Sequence, residues 1–382
     1  MGRGVVAGRV LIDGNSIVNR AFYGVPELTN KEGLHTNAIY GFLNILLKVM
    51  EEEAPTHLMV AFDMKAPTFR HEMYEGYKGT RKPMAEELRE QIPVLKEVLA
   101  AMGIPMKEQE GIEADDILGT MARAGEAQGF EVSVVSGDRD MLQLATDRIK
   151  IRIPKTKGGK TTVEDYHSAQ VIEKYGVTPS QIIDLKGLMG DASDNIPGVP
   201  GVGEKTAVKI LTMFGTVENA IEHVEEITPN RAKQAVKNNI ELARMSKKLA
   251  TIKTDCRLGI KPADCKITNI FTEEAYQKIQ RLEFKSMMSR FQGDTGGDLS
   301  IEKNFREVEK KEDFIKVIDG CQKAESVSVK IIFKNKEDMT SGEDGQMSLF
   351  MEEEKRLVAV VICASEEDVV FCHGGDWITE EL

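Results

Sequence analysis

RVLIDGN, at residues 9–15, is a short apolar run that ends on a carboxylate, Asp13, with Gly14 and Asn15 directly behind it. Apolar, β-branched residues over that length form a buried strand, and turn-forming residues after it end the strand. The pattern returns twice: HLMVAFD at 57–63 ends on Asp63, and EVSVVSGD at 131–138 ends on Asp138. Between the runs lie Thr36–Glu53, Ala85–Met102 and Ala114–Gln128, each with apolar residues at helical spacing. Strands alternating with helices give right-handed βαβ units and a parallel sheet, so the fold class is α/β. Ligands of such sheets bind beyond the carboxyl ends of the strands, where all three aspartates fall. From about residue 176 to 292 strand patterning stops and the chain reads as helical.

The chain has 382 residues, enough for two or three domains. Its 62 acidic and 50 basic side chains give a net charge of −12, which taken whole argues against a phosphate binder. The charge is uneven, however. Residues 293–382 hold 22 acidic and 11 basic side chains, which leaves residues 1–292 almost neutral. The junction QGDTGGDL, at 292–299, has linker composition. Five cysteines, all after residue 255 and none spaced C-x-x-C, suit reduced thiols rather than a disulfide framework or a zinc site. No apolar run approaches the ~20 residues of a membrane span, and the first residues lack the apolar core of a signal peptide.

Carboxylates gather at the expected strand ends and helix starts: Asp13, Asp63, Glu113 with Asp115 and Asp116, Asp138 with Asp140, and Asp191 with Asp194. Any one of them is an ordinary cap or turn residue. Five such groups at one sheet edge repel each other unless cations lie between them. Oxygen ligands without His or Cys select hard ions, Mg²⁺ or Mn²⁺. A pair of such ions suits in-line displacement at phosphorus. Neither G-x-S-x-G nor H-E-x-x-H occurs, so acyl transfer and zinc hydrolysis lose support.

In order and spacing, LIDGN (11–15), VAFD (60–63), GIEADD (111–116), SGDRD (136–140) and GDASDNIPG (190–198) resemble the 5′ nucleases of the flap-endonuclease type. The likeness is greatest to the N-terminal nuclease region of bacterial DNA polymerase I. The resemblance implies a PIN-like parallel-sheet nuclease core with a helical arch, then a helical subdomain. It implies two Mg²⁺ or Mn²⁺ ions held, directly or through water, by Asp13, Asp63, Glu113, Asp115, Asp116, Asp138, Asp140, Asp191 and Asp194. The activity implied is 5′–3′ exonuclease and 5′-flap endonuclease action on DNA, for RNA primer removal and repair, in a monomer of the bacterial cytoplasm associated with the nucleoid.

FRHEMYEGYKGTRKPM, at 69–84, interleaves Arg70, Lys78, Arg81 and Lys82 with Phe69, Tyr74 and Tyr77, a mixture suited to a single strand. The resemblance makes it the arch, about 66–95, with Lys78 neutralising the scissile phosphate and Arg81 supporting it. It also sets Arg20 and Phe22 beside the DNA near the cut. IPGVPGVGEKTAVKIL, at 196–211, fails as a phosphate-binding P-loop because Glu204 stands where Lys is needed. It suits a helix–hairpin–helix in which Gly198, Gly201 and Gly203 admit a duplex phosphate, with Lys205 and Lys209 on the following helix. The resemblance implies that this hairpin also takes a monovalent cation such as K⁺.

Residues 304–382 resemble the opening of a 3′–5′ exonuclease-like domain, but SVSVKIIF at 326–333 has none of the carboxylates of an active one. This reads as a partial, vestigial α/β domain, and no polymerase activity is expected of the chain alone. The expected organisation is a catalytic core at 1–175, a helical DNA-binding subdomain at 176–292, a linker at 293–303 and the partial domain at 304–382. A polar insertion at 334–354 contains QMSLF, similar to peptides that dock on the bacterial sliding clamp, with Gln346, Leu349 and Phe350 as contacts. Two rival readings are a catalytically silent DNA-binding module that tethers a polymerase, and a metal phosphatase for small substrates.

Overall fold

RVLID forms β1 (Gly8–Asp13), and the pattern it sets continues through α1 (Gly14–Gly24), α2 (Asn37–Glu53) and β2 (His57–Ala61). Next come α3 (Phe69–Met73), α4 (Glu86–Arg89), α5 (Gln91–Ala101), β3 (Met106–Lys107), α6 (Ala114–Ala127) and β4 (Glu131–Val135). A hairpin of β5 (Ile149–Lys157) and β6 (Lys160–Tyr166) follows. This computed structural model describes residues 8–157, 160–292, 305–308, 311–321, 327–335, 355–365 and 368–373. The chain divides into two compact units, Met1–Thr295 and Gly296–Leu382.

In the first unit the strands lie in the order β3-β2-β1-β4-β5-β6; the first five run parallel and β6 is antiparallel to β5. Strand order reverses between β1 and β4, so their carboxyl ends open a crevice at the topological switch point. The period of two along each strand supplies both faces. Val10, Ile12, Leu58 and Val60 pack with Phe42, Leu46 and Leu99 of α2 and α5. Leu11, Met59, Val132 and Val134 pack with Ile117, Leu118 and Ala122 of α6. Each of these Val, Leu, Ile, Met and Phe side chains, fully buried, contributes roughly 1.5–3 kcal/mol.

The helical region begins with α7 (Ser168–Tyr175), α8 (Ile182–Met189), α9 (Glu204–Phe214) and α10 (Val217–Glu222). It continues through α11 (Asn230–Asn238), α12 (Ile240–Ala250), α13 (Glu273–Arg281) and α14 (Lys285–Gln292). It is not a separate body. Leu185, Leu188, Val202 and Ile210 share the core of Leu11 and Val134, while Ile279, Phe284 and Phe291 return to the core of Val10 and Ile12.

Three expectations change. In the expected arch, 66–95, helix is confined to short pieces: α3 spans five residues, residues 75–80 are turns, and the helix expected at Ala85–Met102 is divided at Glu90 into α4 and α5. Pro67, Gly76, Gly79 and Pro83 explain the interruptions before α4, since each interrupts helical propagation. The β5–β6 hairpin was not foreseen. Lys334 and Asn335, placed at sequence level in a polar insertion, end a strand instead.

The second unit contains β7 (Phe305–Val308), α15 (Lys311–Cys321), β8 (Ser328–Asn335), β9 (Lys355–Ser365) and β10 (Asp368–His373). Its sheet runs β7-β10-β9-β8, with Val308, Phe314, Val360, Ile362 and Val370 as its core. The expected linker at 293–303, the rest of the insertion, and Gln346, Leu349 and Phe350 lie outside the described residues. No described helix is long and apolar enough to cross a membrane.

Candidate active site

At the carboxyl end of β1, Asp13 caps α1: it accepts from the Ser16 amide at 2.9 Å, and its second oxygen accepts from Ser136 Oγ at 2.7 Å. Ser136 is fully buried, and its oxygen also accepts the Asp138 amide at 3.0 Å. One hydroxyl thus fixes the ends of β1 and β4 relative to each other. Asp63, two residues past β2, accepts the Ala114 amide at 2.8 Å, while its own amide donates to Asn15 at 3.0 Å. Asp115 sits in the first turn of α6, and Asp138 caps the short turn Arg139–Leu144.

These four acids line a basin of about 1110 Å³ together with Asp140 and Asp191. None of the four forms an ion pair among the described residues. Burial, then the neighbouring Asp63 and Asp138, push the Asp13 carboxyl up to about 7, against the pull of its Ser136 and Ser16 hydrogen bonds. Burial and the charges of Asp13, Asp138 and Asp63 hold Asp115 well above the usual carboxylate range, and burial likewise raises Asp138. Carboxyls this buried and this crowded by like charges resist ionising.

The remaining acids have basic partners. Lys186 of α8 bridges Asp140 and Asp191. Lys78 Nζ lies 2.8 Å from Glu113 Oε1, and Arg81 pairs with Asp194. Burial opposes both basic charges, yet Glu113 and Asp194 raise Lys78, and Asp194 raises Arg81. Among the described residues no three His, Cys, Asp or Glu side chains are closed tightly enough to hold a metal ion. The donor set still fits a hard cation: four carboxylates that make no ion pair among the described residues converge on one open basin.

Several expected contacts belong elsewhere. Asp116 is 0 % exposed, and Arg70 grips both its oxygens at 2.8 Å. It also accepts the amides of Glu113 and Lys253, at 3.0 and 2.8 Å, so it is saturated and turned away from the basin. Arg70 cannot meet DNA either: it is buried, and its remaining N–H groups donate to Glu113 and to the carbonyls of Leu249 and Thr251. Tyr77 is 4 % exposed, its hydroxyl 3.1 Å from Glu113 and 3.2 Å from Asp194, so no ring face is free to stack. Glu113 and Asp194 stand behind the basin wall, holding Tyr77, Lys78 and Arg81.

On the rim, Lys78, Arg81 and Lys82 line the basin. Arg20 is half-buried, and burial lowers its pKa. Phe22 packs inward beneath Tyr23, ring centroids 5.0 Å apart, and Tyr23, 73 % exposed, is the aromatic that lines the basin. Only its exposed position in α1 distinguishes Tyr23 from Phe22, and the sequence does not show that phase. Lys186, Ser136 and Tyr23 were all unforeseen; a lysine in the last turn of α8, five residues before Asp191, is the one signal that pointed to any of them.

In the hairpin, Gly198 serves the fold. Its φ is +61°, its amide donates to Ser246 at 3.0 Å, and an added Cβ would lie 2.2 Å from the Gly190 nitrogen. Gly201 and Gly203 differ: a Cβ at either meets nothing within 4 Å, and Gly203 caps α9, whose Lys205 and Lys209 are exposed.

Two family models match the first unit consecutively: the 5′–3′ exonuclease N-terminal resolvase-like domain over residues 9–176, and the 5′–3′ exonuclease C-terminal SAM fold over residues 177–273. DNA polymerase I of Bacillus caldotenax is 49 % identical over 283 residues, and that of Bacillus subtilis 48 % over 286. These alignments cover 74 % and 75 % of this chain and 32 % of each relative, so the chain spans about a third of the length of the curated relatives it matches. Among solved structures, T5 5′-exonuclease with divalent metal ions (zinc) bound superposes with a TM-score of 0.54 at 22 % identity. That match covers 75 % of this chain and 97 % of the T5 protein, and shows a shared fold. On the two consecutive matches over residues 9–273, the chain belongs to the 5′–3′ exonuclease family.

Proposed function

We propose that the chain is a structure-selective nuclease, a 5′–3′ exonuclease and 5′-flap endonuclease that hydrolyses DNA phosphodiesters with two divalent ions, Mg²⁺ or Mn²⁺. The observation that carries this reading is the row of uncompensated carboxylates, Asp13, Asp63, Asp115 and Asp138, in a basin rimmed by Lys78, Arg81 and Lys82. The relatives' name, the T5 protein's bound metals and the acid positions support it. When bound, the ions activate water and stabilise the leaving oxygen. The chain's own groups do the rest. Asp13, Asp63, Asp115 and Asp138 hold one ion and Asp140 and Asp191 the other, while Glu113 and Asp194 set the basic rim. Lys78 and Arg81 stand where a scissile phosphate enters, and offset its charge.

The hairpin, with Gly201, Gly203, Lys205 and Lys209, grips the downstream duplex through phosphates and takes K⁺. Primer removal and repair in the bacterial cytoplasm, close to the nucleoid, are the setting. The protein acts as a monomer with a catalytic core, a helical subdomain and a vestigial exonuclease-like domain, and QMSLF (346–350) docks on the sliding clamp.

A 5′-flap substrate labelled at either end, with products mapped to the nucleotide, tests the central reading. Cleavage at or near the flap junction in Mg²⁺ or Mn²⁺ is expected. The double substitution Asp138→Ala with Asp140→Ala should abolish cutting and spare most binding. Wild-type protein that binds the flap but never cuts it is instead a silent tethering module.

A further inference from the structure

Among the described residues, Lys186 is the one basic side chain that bridges two of the basin-lining acids. It projects from the last turn of α8, which Leu185 and Leu188 bury in the core and which Asp184 ties to the Val217 amide at 2.8 Å. The backbone beneath it is therefore fixed, and the flexible part is its own four-carbon stem. Its ammonium contacts Asp140 on one side and Asp191 on the other. The Ser193 amide and hydroxyl complete Asp191, at 2.8 and 2.6 Å.

The basin thus has two unlike halves. Asp13, Asp63, Asp115 and Asp138 make no ion pair among the described residues, although Lys186, Lys78 and Arg81 act on Asp138 at longer range, whereas Asp140 and Asp191 are bridged directly by Lys186. A divalent ion can enter the first half without displacing anything. In the second half it meets an ammonium, and two cations cannot share the same oxygens at contact distance without strong repulsion.

On the two-ion reading above, we propose that Lys186 is a placeholder for the second divalent ion: it occupies the Asp140–Asp191 pair in the metal-free protein and must swing out before that ion can bind. It is a positioning residue, acting through the two acids. Three consequences follow for the chain. Ions bind in order, the Asp13 half first. The metal-free protein keeps two close carboxylates compensated. An incoming phosphate gives the released ammonium a partner, so DNA and the second ion favour each other's binding by linkage.

The test is a calorimetric titration of the full chain, stripped of metal and free of DNA, with Mn²⁺, comparing wild type with Lys186→Met, Lys186→Gln and Lys186→Arg. One opposite charge at contact range alters a carboxylate's affinity for a competing cation by roughly ten- to a thousandfold. Wild type and Lys186→Arg should show one tight and one weak ion. In Lys186→Met and Lys186→Gln the weak ion should bind about tenfold tighter or more. Thermal melts in EDTA should show both neutral variants folded but less heat-stable than wild type, with Mn²⁺ closing the gap. A second-ion affinity that is unchanged or weaker in both neutral variants overturns the proposal. If wild type and all variants take up no Mn²⁺, the two-ion reading itself fails and the placeholder role falls with it, a result unlike the first.

Discussion

Asp115 and Asp116 stand side by side in the first turn of α6, and the helix rotates one about 100° from the other. That rotation sends Asp115 to the basin and Asp116 into the core, where Arg70 closes on it with two parallel 2.8 Å hydrogen bonds. Sequence reasoning treats the pair alike, because both suit the positive end of a helix and both match the family motif. Which one faces the crevice depends on how α6 packs against β1 and β4, a tertiary fact. The two therefore have opposite expected signatures. Asp116→Ala strands a buried guanidinium and should cost ~3–5 kcal/mol in urea unfolding. Asp115→Ala removes a repelling charge and should leave metal-free stability equal or higher while abolishing flap cleavage. Arg70 and Tyr77 teach the same lesson: their composition suggested a strand of nucleic acid, but their partners are internal.

The elements were legible wherever one face is buried. β1, β2, β4, α2 and α6 declared themselves by period, each within three residues of its observed ends. Less visible was β5–β6: β5 alternates as IKIRI with Ile149, Ile151 and Ile153 in the core between β4 and β6, a pattern passed over in the sequence, and only the polar β6 lies at the sheet edge, where little apolar patterning is needed. The hairpin at 196–203 shows a finer limit: its glycines look equivalent and are not. Gly198 lets two backbone segments cross, whereas Gly203 leaves an open approach to the start of α9. Gly198→Ala should cost ~2 kcal/mol or more, since both the left-handed backbone and the space are denied. Gly203→Ala, at φ −95°, should change the melting temperature little and weaken duplex binding several-fold, read by thermal melt and by gel shift.

At the scale of the molecule, charge distribution matters more than its sum. The net −12 lies almost wholly in residues 293–382, so the whole-chain value that argued against nucleic acid says little about the family-matched region. Within that region, crowding of the basin acids sets how stability follows pH. An ordinary aspartate titrates near 4, and Asp13 is held at about 7. Between those values the folded, metal-free protein keeps a proton that the unfolded chain has lost, so stability falls as pH rises. The raised Asp115 and Asp138 act in the same sense, while Asp191, held at about 2, contributes stability that is lost only below pH ~4. The melting temperature in EDTA should decline from about pH 5 to about pH 7.5, and saturating Mg²⁺ should flatten that decline. A profile that rises over the same interval would contradict the crowded-carboxylate account.

The parallel register described for β1 also bears on how this protein can change length. Asp13 lies level with Ala61, and its neighbour Ile12 with Val135, so three chain segments far apart in sequence are held in step. Adding or deleting one residue inside β1 would exchange the side chains its two faces send to the two cores and carry the aspartate to the wrong side of the sheet. The exposed bend at Glu32 and Gly33 has no such partner across a ladder. Drift in length is thus confined to the bends, while the strands behave like a reading frame in which a single slip garbles everything downstream.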